Sequence, residues 1–198
     1  MLSSWKRISN FFYRISSGRV TLAGFVLFIV FAATVLPAQA RKAAVYSHGA
    51  GSPDTSRYYS AEDLYAMADK YEPEGRAAYI RARFTFDAIF PITYLFFLGT
   101  SLSWCLSIIL SASNRLRLLN LFPAFGWLFD MLENIAVSIV FGRYSNPTPV
   151  LDSLAGLFTL VKWIFIYGSF ILLFPAFLLS LWKLLALRKG QLEAKKQR

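Results

Sequence analysis

Asp130, Glu133 and Asn134 interrupt an otherwise apolar run that extends from residue 118 to 141. Their spacing of i, i+3 and i+4 places all three on one face of a helix. Two more apolar runs carry polar groups of the same kind: Asp87 with Tyr94 at i+7 in residues 84–111, and Lys162 beside Trp163 in residues 150–187. A charge at bilayer depth costs roughly 2.5–3.5 kcal/mol on insertion scales, so each of these groups calls for a partner or a function. Helices consecutive in the chain usually pack together, which pairs Asp130 with Lys162 and leaves Glu133 to Asn134, a tyrosine or water. Two carboxylates one turn apart repel each other when both are ionised, an arrangement suited to a general acid or a proton relay. The candidate pocket is therefore Asp87, Tyr94, Asp130, Glu133, Asn134, Lys162 and Trp163. In an enzyme, Glu133 or Asp130 would give or take the proton and Lys162 would tune it.

Helical rise gives an expected depth for each group. Counted from the start of its run, Asp130 lies about 18 Å in, Glu133 about 22 Å, Lys162 about 18 Å from the opposite side, and Asp87 about 5 Å from that side. The expected order from the outer surface is Asp87, Glu133, Asp130, Lys162, a ladder that passes the middle of a core about 30 Å thick.

The elements that must hold these groups follow from composition. Hydrophobic residues make up 56% of the 198 residues and charged residues only 16%, against about 25% charged in soluble domains. This is the balance of an all-α polytopic membrane protein, four transmembrane helices in a bundle. The net charge of +10 sits beside the ends of the apolar runs rather than on one polar domain, so membrane lipids are the expected partners and nucleic acid is not.

In chain order, residues 1–19 hold four basic residues, no acid, and Trp5, Ile8, Phe11, Phe12 and Ile15 on one helical stripe. That pattern predicts an amphipathic helix lying in the headgroup plane on the cytoplasmic side. Residues 20–36 form the first spanning helix, bounded by Pro37. Ala38-Gln39-Ala40 resembles a signal cleavage site, but the apolar stretch exceeds the usual run of about 7–15 residues, which favours an uncleaved helix. Residues 37–83 are an extracytoplasmic loop with a short helix at 60–71, opened by Ser60 with Asp63 three residues on and expected over the mouth of the bundle or along the outer interface. The second, third and fourth spans cover 84–111, 118–141 and 150–187, with Pro91 and Pro175 as expected kinks. Residues 188–198 are a basic tail. Lysine and arginine concentrate in the first segment, the 112–119 turn and the tail, so both termini should be cytoplasmic in a multi-pass cell-membrane protein.

Missing residues narrow the chemistry. The only cysteine, Cys105, lies in an apolar run, and the only histidine, His48, lies in a Gly/Ser loop, which argues against disulfides, a haem axial pair and a histidine zinc site. No phosphate-binding loop, nucleophile elbow or dinucleotide fingerprint occurs, and nothing in the spacing of the acids calls for a metal or another cofactor.

The residues Asp87 to Tyr94 (DAIFPITY), Phe122-Pro123, Asp130-x-x-Glu133-Asn134 and Thr159-x-x-Lys162-Trp163 resemble a pattern of uncharacterised four-helix integral membrane proteins of prokaryotes. The resemblance covers about residues 60–178 and implies a four-helix fold without an assigned activity. A looser similarity is to the sterol-isomerase and sigma-2-receptor superfamily, which implies middle-helix acids around an apolar cavity; this chain has Lys162 where an asparagine would be looked for and no histidine in the corresponding helices.

Three functions fit these readings. The first is a pocket open to the outer side for a lipid-like or small apolar ligand. The second is a structural or accessory subunit in which buried charges fix helix packing or meet a second copy or a partner membrane protein. The third is a small proton-coupled transporter.

Overall fold

A computed structural model describes residues 2–196. The chain is all helical: α1 (Leu2–Ile15), α2 (Gly18–Val30), α3 (Leu36–Tyr46), α4 (Ala61–Lys70), α5 (Glu72–Arg83), α6 (Phe86–Ile109), α7 (Phe122–Arg143) and α8 (Leu151–Lys196). Four stretches are long and apolar enough to cross a membrane: Gly18–Tyr46, Glu72–Ile109, Arg115–Arg143 and Leu151–Lys195. The expectation of an all-α bundle with four membrane-length helices therefore holds.

Several boundaries differ from the expected ones, each for a local reason. The first span does not stop at Leu36. A π-turn at Phe31–Val35 joins α2 to α3, with the Leu36 amide bonded back to the Phe31 carbonyl. Pro37 then enters in the first turn of α3, where its missing N–H costs least. What was expected to be loop after residue 37 is helix as far as Tyr46, and Ala38-Gln39-Ala40 lies within it. The second span also begins earlier, at Glu72. There Pro73 opens α5 just after the left-handed Glu72, and α5 meets α6 at a break around Thr85, whose hydroxyl donates to the Arg81 carbonyl at 2.7 Å. α8 runs unbroken through Pro175, and the expected basic tail is helical through Lys196.

α1 is more than a surface helix. Its Ser9 hydroxyl donates to Asn120 Oδ1 at 2.8 Å, and the Asn120 amide returns bonds to the Ser9 carbonyl and to Ser103 Oγ at 3.2 and 2.9 Å. Phe12 is buried against Gly99 of α6; a Cβ on Gly99 would lie 2.7 Å from the ring. The expected apolar stripe is therefore divided: Phe12 turns into the bundle while Ile8 and Phe11 beside it remain exposed. The helix thus keeps an exposed apolar edge, while polar and aromatic contacts pin it to the bundle.

The end of the bundle holding α1 also holds the Arg115–Leu121 turn and the close of α6, where Ser180 and Lys183 of α8 donate to the Cys105 and Ile108 carbonyls. At the other end, α4 and α5 cover α7 and α8. Ser60 caps α4 through a reciprocal pair with Asp63. Tyr59, Leu64, Tyr71, Tyr79, Val140 and Phe141 form the largest buried apolar cluster there. Between α3 and α4, residues 47–60 fold down into the mouth of the bundle, a descent with direct consequences for the charged groups.

Candidate functional site

Lys162 lies three turns into α8 with 2% of its surface exposed, and Glu133 of α7 has 1%. Their charged atoms approach to 2.5 Å. The same ammonium lies 3.5 Å from Asp130 Oδ1, one turn away on α7, so the expected Asp130 contact is present, while Glu133, expected to turn to Asn134, a tyrosine or water, also faces the lysine. The closest partner is Glu133 rather than Asp130. A third carboxylate, Asp54 Oδ1, comes from the 47–60 segment at 3.2 Å. Lys162 is thus enclosed by three anions, and its net stabilisation depends on that complete pairing, since an unpaired ammonium at this burial would be prohibitive.

Asp54 is held from two sides. Arg83, at the last turn of α5, lies 3.1 Å from its Oδ2 and also pairs with Asp87 one helical turn along. The Arg83 guanidinium stacks over Tyr79 with 4.5 Å to the ring centroid. Burial alone would raise the Asp54 carboxyl, but the Arg83 and Lys162 cations outweigh it and hold the group well below the usual carboxylate range. Asp54 therefore bridges the two cations and ties the loop to both α5 and α8.

Two tyrosines complete the set. Tyr94 donates to Asp130 Oδ2 at 3.1 Å and Tyr59 to Glu133 Oε1 at 3.3 Å. Burial, reinforced by the Glu133 charge, pushes the Tyr59 hydroxyl far above its usual value, so it remains a neutral donor. Trp163 donates its indole N–H to the Ser56 carbonyl at 2.8 Å and stacks on Tyr167 with centroids 5.1 Å apart. The loop can come this close because Gly156 has no side chain: a Cβ there would run into the Tyr59 carbonyl.

Asp87, Asp130, Glu133 and Lys162 form a compact cluster instead of the expected ladder. Depth counting measured each span from the start of its apolar run, but those starts are not level: α5 carries the second span on beyond Arg83, and the Lys162 side chain reaches both α7 acids at once. Asn134 is the expected site residue that the cluster does not include. It is buried, and among the described residues neither its amide N–H groups nor its carbonyl has a protein partner.

Asp54, Arg83 and Tyr59 belong to the cluster without having been read as site residues. The i, i+4 spacing of Arg83 and Asp87 carried a local signal for one of them. Asp54 lies in a Ser-Pro-Asp-Thr turn and had none, because only the tertiary fold of the loop brings it in.

Asp54, Asp130 and Glu133 offer ligand oxygens within 4.8 Å of one another, a spacing that suits a cation. Lys162 Nζ already stands among the same three groups, so the residues present satisfy themselves with an internal ammonium. Asp54, Asp87, Asp130 and Glu133 face two cations, Arg83 and Lys162, an excess of two negative charges when all are ionised.

Next to the cluster lies a cavity of about 330 Å³. Asp54, Asp87, Asp130 and Lys162 form its polar floor. Phe28 and Leu36 of the first span, Phe90 and Tyr94 of α6, and Trp163 and Phe170 of α8 are among its mostly apolar walls. Volume and lining both fall in the range of small-molecule sites, concave and apolar with a few convergent polar groups. Comparison with protein-family models, with curated proteins and with solved structures returns no match for this chain.

Proposed function

We propose that this chain is a multi-pass protein of the cell membrane with both termini in the cytoplasm, and that it binds a lipid-like or small apolar ligand in the cavity between α2, α6 and α8. The observation that carries the reading is the pairing of an apolar wall with a charged floor in one space of about 330 Å³. A bundle that used its charges only for packing would have no need of such a space beside them. The ligand's apolar part would lie along Phe28, Phe90 and Phe170, and its polar end would meet Asp87, Asp130 and Lys162. α2 has almost no cover on its other faces, so the gap between α2 and α8 is the entry a lipid-borne ligand would use. The topology is supported by the basic residues of α1, of the Arg115–Arg117 turn and of the end of α8, which share one end of the bundle.

Native mass spectrometry of the full chain, released gently from membranes, tests this reading. A bound species of lipid-like mass is expected, and it should be lost when Leu36→Trp fills the wall without touching the charged floor. A chain that emerges bare and takes up nothing from added lipid, with Leu36→Trp no different from wild type, would refute it.

The complete enclosure of Lys162 supports a second reading, in which the cluster fixes helix register as polar glue. The two readings separate at Glu133→Gln. Glue predicts a lower melting temperature, whereas a site that holds charge for a ligand predicts unchanged or higher stability with weaker ligand retention.

A further inference from the structure

A second concavity, of about 290 Å³, lies between α3 and α5. Its rim carries Lys42 and Gln39 from α3, Arg81 from α5, and Thr85 from the break that follows. No carboxylate lines it. Arg83 forms part of its inner wall but is already committed to Asp54 and Asp87. Lys42 and Arg81 form no ion pair among the described residues. Two uncompensated cations on different helices thus face one cleft whose other polar groups, apart from the paired Arg83, are neutral.

The fold builds this convergence. The π-turn and Pro37 carry the first span on into α3 instead of ending it. Gly75 lets α5 close on α3, because a Cβ there would lie 2.7 Å from the Tyr46 carbonyl oxygen. The position along the membrane normal is informative too. From Arg19 to Lys42 the helix covers about 35 Å at about 1.5 Å per residue, slightly more than a hydrocarbon core of about 30 Å. With Arg19 at one headgroup layer, Lys42 and the cleft stand in the other.

We propose that this cleft is a phosphate site, with Arg81 presenting its planar fork to two phosphate oxygens and Lys42 adding a point charge from the facing helix. Ala43 and Phe86, also in its lining, give the apolar flank that a phosphate ester of a lipid would touch. The site stands apart from the ligand cavity and does not rest on the reading given to that cavity. Its phosphate could come from a lipid headgroup or from solution.

The test is a native mass spectrometry titration of the full chain in detergent. The probes are dioleoyl phosphatidylglycerol, dioleoylglycerol as its phosphate-free counterpart, and inorganic phosphate as competitor. The titration is run on the Leu36→Trp chain, whose ligand cavity is filled, and there the phospholipid adduct should persist and the diacylglycerol adduct should not. The Lys42→Gln/Arg81→Gln pair should weaken the phospholipid about tenfold, or about 1.4 kcal/mol. Arg41→Gln, which removes a charge beside the cleft but not in it, should leave binding unchanged. Displacement by millimolar inorganic phosphate supports the site with free phosphate as a source, and persistence of the phospholipid supports it with the headgroup as the source. Equal retention of dioleoylglycerol, or unchanged affinity in the double variant, overturns the proposal. Should the double variant unfold, Lys42→Gln alone is the readout: a several-fold loss is expected, and no loss overturns it. Loss of binding in the double variant with Leu36→Trp still binding phospholipid would separate this site from the cavity.

Discussion

Replacing Lys162 by methionine keeps the length of the side chain and removes the charge that three carboxylates share. At an effective dielectric of about 20, contacts at the observed 2.5, 3.2 and 3.5 Å are each worth roughly 5–7 kcal/mol of attraction. Taking ions out of water costs several kcal/mol apiece, which cancels much of that sum. The net loss on breaking such a pair is about 3–5 kcal/mol, because the partners stay buried without a counterion. For a chain of 198 residues that is a drop in melting temperature of about 6–20 °C. Charge count then predicts the rescue. Lys162→Met leaves the cluster with three excess negative charges, and adding Glu133→Gln returns it to the native excess of two. Differential scanning fluorimetry in detergent should place the double variant well above the single one. A Lys162→Met protein melting within about 2 °C of wild type, or a double variant no better than the single, would refute the claim that these contacts hold the bundle together.

Three further outcomes follow from the same geometry. Asp54 lies below the ordinary carboxylate range, so its stabilising effect is present above about pH 3.9 and is lost as pH falls through its lower value. Protease cleavage within residues 47–60 should be slow from neutral pH down to about pH 4, should accelerate only in stronger acid, and should be fast throughout in Asp54→Asn. Gly156→Ala forces the Tyr59 carbonyl away and should cost about 1–3 kcal/mol, whereas Gly142→Ala, in α7 with nothing nearer its Cβ than 3.6 Å, should melt at or slightly above wild type. Phe12→Ala removes the ring that fills the Gly99 notch; hydrogen exchange should rise across α1 while the Lys162 cluster keeps its protection.

Local pattern and tertiary placement divided the information unequally. The spans were legible because a membrane helix must satisfy its backbone internally and present apolar side chains over a fixed length, and both demands are written in consecutive residues. The i, i+3, i+4 set on α7 and the capping pair at Ser60 and Asp63 are local in the same sense. Pro37 misled because its ordinary effect, ending a helix, was cancelled by a π-turn that no single residue announces.

The cluster itself was half legible. Asp87, Asp130, Glu133 and Lys162 stand out because charge is expensive where apolar residues surround it on either side. Asp54 and Tyr59 do not, because they belong to a loop that is polar for its own reasons and enters the bundle only as the fold closes. Their entry changes what the cluster is. With the helices α5 to α8 alone, Lys162 would face two acids and Arg83 one, and the site would be a set of interhelical pairs. With Asp54 in place, one carboxylate joins Arg83 to Lys162, so the two cations cannot be separated without moving the loop. The floor of the cavity is therefore coupled to its cover, and any ligand that draws on Asp54 or Lys162 must also act on the segment that closes the mouth of the bundle.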